Sequence, residues 1–184
     1  MRLLRWAHFL IYGVFYEWRK KTCCFFGHRK IAKAESLKTK VYEIMEDLIL
    51  NKCVDTFLMG SRSEFDSLCR EILSELKEKY PHIKRIYVRG EYPEINESYE
   101  EYLLKNGEQT YFPKRAENAG KAVYIQRNYE MIDKSQYCIV YYNENYTPPK
   151  RKKNIFDCQP KSGTKLACDY AVKKKKTVIN EQNE

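Results

Sequence analysis

Short apolar runs alternate with longer amphipathic ones along most of this chain, and that alternation restricts it to strands and helices taken in turn. "TCCFF", residues 22–26, reads as a buried strand stopped at Gly27-His28-Arg29, after which residues 35–50 place Leu37, Val41, Ile44, Met45 and Leu48 at helical spacing. "VDTFLM" is a second strand ended by Gly60, and Phe65, Leu68, Cys69, Ile72, Leu73 and Leu76 mark the face of a helix that stops before Pro81. "IKRIYVR" is a third strand, and a brief helix over "NYEMID" leads into a fourth, "YCIVYYN". Ser162 to Lys174 forms a last helix with Leu166, Ala167, Tyr170 and Ala171 on one face, and "KTVIN" a fifth strand. Residues 90–120 carry no clear period and read as a loop-rich insertion with a short helix. Residues 143–161 read as a long loop holding Pro148-Pro149 and the basic run Lys150–Lys153.

Strands this short and apolar, separated by helices, predict an α/β fold: a Rossmann-like, doubly wound, mainly parallel five-stranded sheet with helices on both faces. The chain of 184 residues suits a single domain of this kind. In such sheets ligands bind beyond the carboxyl ends of the strands, where the strand order reverses.

The formal charge of +9 at pH 7 predicts an anion-attracting surface without choosing among nucleic acid, lipid headgroup and small phosphate. The seven cysteines form neither a CxxC pair nor a Cys/His metal spacing, and several lie in apolar runs. They read as reduced, mostly buried small hydrophobes, which predicts a cytoplasmic protein with no metal site. Residues 1–21 form an apolar and basic extension. Its apolar run is short and contains Arg5, His8 and Glu17, so an interfacial or packing helix is preferred to a membrane span.

Four loops fall where a parallel sheet would gather them. Gly27, His28 and Arg29 follow the first strand, with a glycine for close backbone approach and a guanidinium fork for phosphate or carboxylate. Gly60 and Ser61 follow the second strand. Asp66 lies beyond them, as an acceptor for ribose hydroxyls, while Ser63, Glu64 and Asp66 also fit a plain helix cap. Arg127 and Asn128 precede the fourth strand and suit a phosphate or a base edge. Ser162, Gly163 and Thr164 open the last helix, where free N–H groups and two hydroxyls favour an anion, and Ser162 equally fits an ordinary N-cap.

"CCFFGHRK", "MGSRSEFDSLC", "RNYEMIDKSQYCIVYYN" and "PKSGTKLACDYAVKKKKTVIN", in this order, resemble the SLOG superfamily, the Rossmann-like group that includes the Smf/DprA and LOG families, and within it the small proteins akin to YpsA. The resemblance covers residues 22–180 and implies a SLOG-like Rossmann domain over 22–184. It implies a nucleotide or nucleotide-derived ligand, with Gly27, His28, Arg29, Gly60, Asp66, Arg127, Asn128, Ser162, Gly163 and Thr164 near its phosphate or ribose. The LOG enzymes, which cleave the N-glycosidic bond of nucleoside monophosphates, are marked by PGGxGTxxE. Here Lys161-Ser162-Gly163-Thr164 keeps the Gly-Thr core, and the glutamate position falls on Ala167, which carries no proton to exchange.

The leading expectation is a binding module that senses or sequesters such a ligand, with no catalytic residue assigned and no cofactor. An N-glycosidase or phosphoribohydrolase using Glu64 or Asp66 is the alternative. A third reading is single-stranded nucleic-acid binding through Lys150–Lys153 and Lys173–Lys176, with Tyr141, Tyr142 and Tyr146 for stacking. Homo-oligomerisation is a further expectation from the resemblance.

Overall fold

A computed structural model describes residues 21–31, 34–60, 63–105, 108–145 and 162–181. Ser61, Tyr146 and the Lys150–Lys153 run lie outside the described residues, as does the N-terminal extension up to residue 20.

Six strands, β1 (Lys21–Gly27), β2 (Val54–Met59), β3 (Lys84–Val88), β4 (Glu108–Tyr111), β5 (Tyr137–Tyr141) and β6 (Thr177–Asn180), form one sheet in the order β4-β3-β2-β1-β5-β6. Every pairing is parallel. The α-helices among the described residues are α1 (Ala34–Lys52), α2 (Glu64–Lys79), α3 (Glu97–Lys105), α4 (Val123–Lys134) and α5 (Gly163–Lys173). The fold is therefore the expected Rossmann-like α/β arrangement, with six strands in place of five. The additional strand, β4, is the sequence EQTY on the outer edge beside β3. None of its residues is fully buried, so it lacks the apolar signature by which inner strands are recognised. Strand length falls from 7 residues in β1 to 6, 5 and 4 toward β4, and through 5 to 4 toward β6.

Period-two alternation divides β1 between two cores. Cys23 and Phe25 face α1 and α2, packing with Val41, Met45, Phe65, Ile72 and Leu76, whereas Cys24 and Phe26 face α4 and α5, packing with Met131, Ile132, Ala167 and Ala171. Helix α4 begins upstream of "NYEMID", and none of Val123, Tyr124, Ile125 and Gln126 in its first turn is fully buried, so no apolar face marks its start. No helix among the described residues is long and apolar enough to cross a membrane.

The order reverses at β1, whose neighbours are β2 on one side and β5 on the other. Their carboxyl ends define the switch point at which such sheets bind ligands.

Candidate functional site

At the end of β1, Gly27 is held by packing. A Cβ there would meet Phe65 Cγ and Cδ1 at 2.6 Å, so the ring of α2 occupies the space a side chain needs. Phe65 is fully buried and stacks on Tyr141 of β5 at a centroid distance of 5.6 Å. His28 follows, 2% exposed, and ties the two sides of the switch point together. Its backbone N–H donates to Tyr141 O at 3.2 Å, and its Nε2 accepts from the Asn143 N–H at 2.9 Å. Burial pushes its pKa below the ordinary value, consistent with a neutral ring whose Nε2 is already engaged as an acceptor. Arg29 is exposed, and its carbonyl accepts from the Glu64 N–H at 3.1 Å.

The start of α2 is built as a cap. Ser63 Oγ accepts from the Asp66 N–H at 3.0 Å while its hydroxyl donates to Asp66 Oδ2. This serine and aspartate form a reciprocal capping pair, the plainer of the two readings of this loop. Asp66 is nevertheless only 1% exposed and lies at the carboxyl edge of the sheet. Glu64 is committed to the preceding loop: it accepts from Lys30 Nζ and from the Ile31 N–H at 3.0 Å, and the Lys30 contact holds its carboxyl below the usual range.

Arg127, on α4, reaches over the edge of β2 from the opposite layer. It is 4% exposed. A Cβ on Gly60 would lie 3.0 Å from its Nε, and one on Gly90, just past β3, would lie 3.4 Å from its Nη1. Nε and Nη2 donate to Asn128 Oδ1 at 3.2 and 2.9 Å, and among the described residues Nη1 has no hydrogen-bond partner. The Tyr124 ring lies 5.5 Å from the guanidinium carbon. Burial pulls the Arg127 pKa down, and the nearby Asp66, Tyr87, Tyr124 and Glu91 act against it. The group stays charged, because a guanidinium does not lose its proton in a protein.

At the fourth loop, Ser162 Oγ accepts from the Lys165 N–H at 3.1 Å, an ordinary N-cap. Gly163 is exposed, and nothing lies within 4 Å of where its Cβ would be, so packing does not require glycine there. Thr164 is half-buried. Lys165 Nζ sits 5.6 Å from the Tyr142 ring, and that ring lies 5.6 Å from the His28 ring. Ala167 is 1% exposed and faces the core beneath α5, so its position is directed away from the sheet edge.

The expected residues therefore form two groups. Gly60, Asp66, Arg127 and Asn128 gather at the ends of β2 and β3. Gly27 and His28 join Tyr142 and the head of α5 at the ends of β1 and β5, while Arg29 points outward. Gly90 and Glu91 belong to the first group and are missing from the sequence reading. Gly90 was marked by the same signal as Gly27 and Gly60, a glycine directly after an apolar strand, but it opens the stretch without a period. Of the described lysines in the Lys173–Lys176 run, Lys174 pairs with Asp133 at 3.4 Å and Lys176 Nζ donates to Asp133 O at 3.1 Å.

No protein-family model matches the chain, and no curated protein matches it.

A nearly buried guanidinium with one nitrogen open and a second layer of small or polar residues around it is suited to an anion. An anion would return to Arg127 the charge compensation that burial removes.

Proposed function

We propose that this protein binds a nucleotide or nucleotide-derived ligand at the carboxyl edge of its sheet, as a sensing or sequestering module of SLOG type. The observation that carries the reading is Arg127, which is 4% exposed, stands between Gly60 and Gly90, and has an unpartnered Nη1 among the described residues. A buried cation is costly unless compensated; Asp66, bonded to Ser63, acts on Arg127 electrostatically, and burial still outweighs the charges around the guanidinium. A phosphate on Nη1 supplies the rest. The location at the ends of β2 and β3 agrees with the general rule for ligand sites in parallel sheets.

Of the two carboxylates of the hydrolase alternative, Glu64 is bound to Lys30 and Ile31, and Asp66 is engaged in the Ser63 cap, so neither favours that reading. The nucleic-acid reading loses support from the engagement of Lys174 and Lys176 with Asp133. A cytoplasmic setting fits the free thiols of Cys24 and Cys138, whose sulfurs lie 3.6 Å apart in the core.

Thermal shift and calorimetry against a nucleotide panel test the proposal. A ligand at a hundredfold excess over Kd should raise stability by about 2.7 kcal/mol. Absence of stabilisation by every member would overturn it.

A further inference from the structure

A cavity of about 470 Å³ opens next to Arg127, beyond the ends of β3 and β4. Its volume lies in the lower half of the range of roughly 300–1,000 Å³ found for small-molecule sites, enough for a nucleoside. Gly90 and Glu91 belong to both features. Each lines the cavity, Gly90 also lies against the Arg127 side chain, and the Glu91 carboxylate acts electrostatically on the guanidinium. The anion position and the cavity are therefore contiguous, separated by no more than a glycine.

The walls are of two kinds. The lining includes the apolar Phe112 and Pro93 and the polar Glu91 and Asn118. Asn118 and Gly120 hold positive φ, 57° and 53°, so the rim is a turn built from residues that tolerate the left-handed region. Glu91 as a carboxylate accepts hydrogen bonds and donates none; its Oε1 accepts from the Tyr124 hydroxyl at 3.5 Å, and two carboxylate oxygens have lone pairs for further donors. It favours a ligand presenting adjacent donors, such as the cis-diol of a ribose or the N1–H and amino pair of a guanine edge.

We infer that this cavity receives the nucleoside part of a mononucleotide-sized ligand whose phosphate lies on Arg127, with Glu91 accepting from a pair of adjacent donors on that nucleoside. The inference rests on the anion reading of Arg127 and adds the place, size and donor pattern of the rest of the ligand.

Calorimetry on the full chain with inorganic phosphate, AMP, GMP and their 2′-deoxy forms tests it, using wild type, Glu91→Gln, Phe112→Ala and Arg127→Ala. The expected result is tighter binding of mononucleotides than of inorganic phosphate by tenfold or more. Glu91→Gln and Phe112→Ala should erase that advantage while leaving phosphate binding in place. Loss on removing the 2′-hydroxyl assigns the donor pair to the ribose, and a preference for GMP over AMP that survives deoxygenation assigns it to the base. Mononucleotide affinity that depends on Arg127 but is unchanged in both cavity variants overturns the cavity inference and leaves the anion reading standing. Binding of neither phosphate nor nucleotide by wild type overturns both. Circular dichroism of each variant separates lost binding from lost folding.

Discussion

The ring of Phe65 occupies the space that a side chain on Gly27 would need, with Cγ 2.6 Å from the position of the missing Cβ. The glycine closing β1 is thus fixed by the helix that follows β2, whatever else approaches it. Gly27→Ala should destabilise the protein by about 1–3 kcal/mol through overpacking. Phe65→Ala alone should cost about 3–5 kcal/mol. In the double variant the cost should fall below the sum of the two, and equilibrium denaturation of all three checks it. Strict additivity would show that the two positions do not meet.

Arg127→Lys keeps the charge but loses the planar fork that bonds Asn128 through two nitrogens. Nucleotide affinity should drop about tenfold or more, since a lysine is not equivalent at a forked site. Gly60→Ala, which would crowd Arg127 Nε at 3.0 Å and Met131 Sδ at 2.9 Å, should weaken binding in the same assay. An unchanged affinity in both variants would remove Arg127 from the site.

The histidine at the switch point predicts a pH dependence with a definite sign. Burial puts the folded-state pKa of His28 below its ordinary 6.5, so the unfolded chain takes up a proton first as pH falls. The contribution of His28 to stability is therefore complete above about pH 6.5 and is lost as pH drops through the folded pKa. Urea denaturation between pH 7.5 and 5 should show a falling midpoint, with a shallower fall in His28→Asn. Equal slopes would show that His28 is not the titrating group.

Ser162 and Gly163 separate capping from ligand contact. Ser162→Ala should cost about 1 kcal/mol by removing the bond from the Lys165 N–H, ligand or no ligand. Gly163→Ala meets nothing within 4 Å and should leave stability unchanged or slightly higher. A fall in nucleotide affinity in the folded Gly163→Ala variant would place a ligand against the head of α5. Unchanged affinity would confine binding to the Arg127 side.

Ala167→Glu rebuilds the glutamate spacing of PGGxGTxxE. Because Ala167 is 1% exposed in the core beneath α5, the new carboxylate should unfold or severely destabilise the protein without creating glycosidase activity. Thermal melting and an assay for released base check both halves.

The inner part of this fold was legible because burial writes itself into the sequence. Cys23 to Phe26, Phe57 to Met59 and Cys138 to Tyr141 are buried runs bounded by helices with a clear apolar face. β4 was not legible, because an outer strand of partly exposed EQTY carries no such run. Within the site, individual residues were visible but their grouping was not. Nothing local to Gly27 announces Phe65, and nothing near Arg127 announces that its guanidinium lies between Gly60 and Gly90. Glu91 was hidden by a stretch whose turns are set by Asn118 and Gly120 at positive φ, a pattern without period.

The taper of the sheet from a seven-residue centre to four-residue margins has a consequence for how copies of this molecule can meet. A parallel margin of that length turns about two N–H and two C=O groups outward, too few to template a ribbon continuing from one molecule into the next. If copies of the chain associate, these two margins offer little strand pairing, and strand content should be the same in an assembly as in the isolated chain.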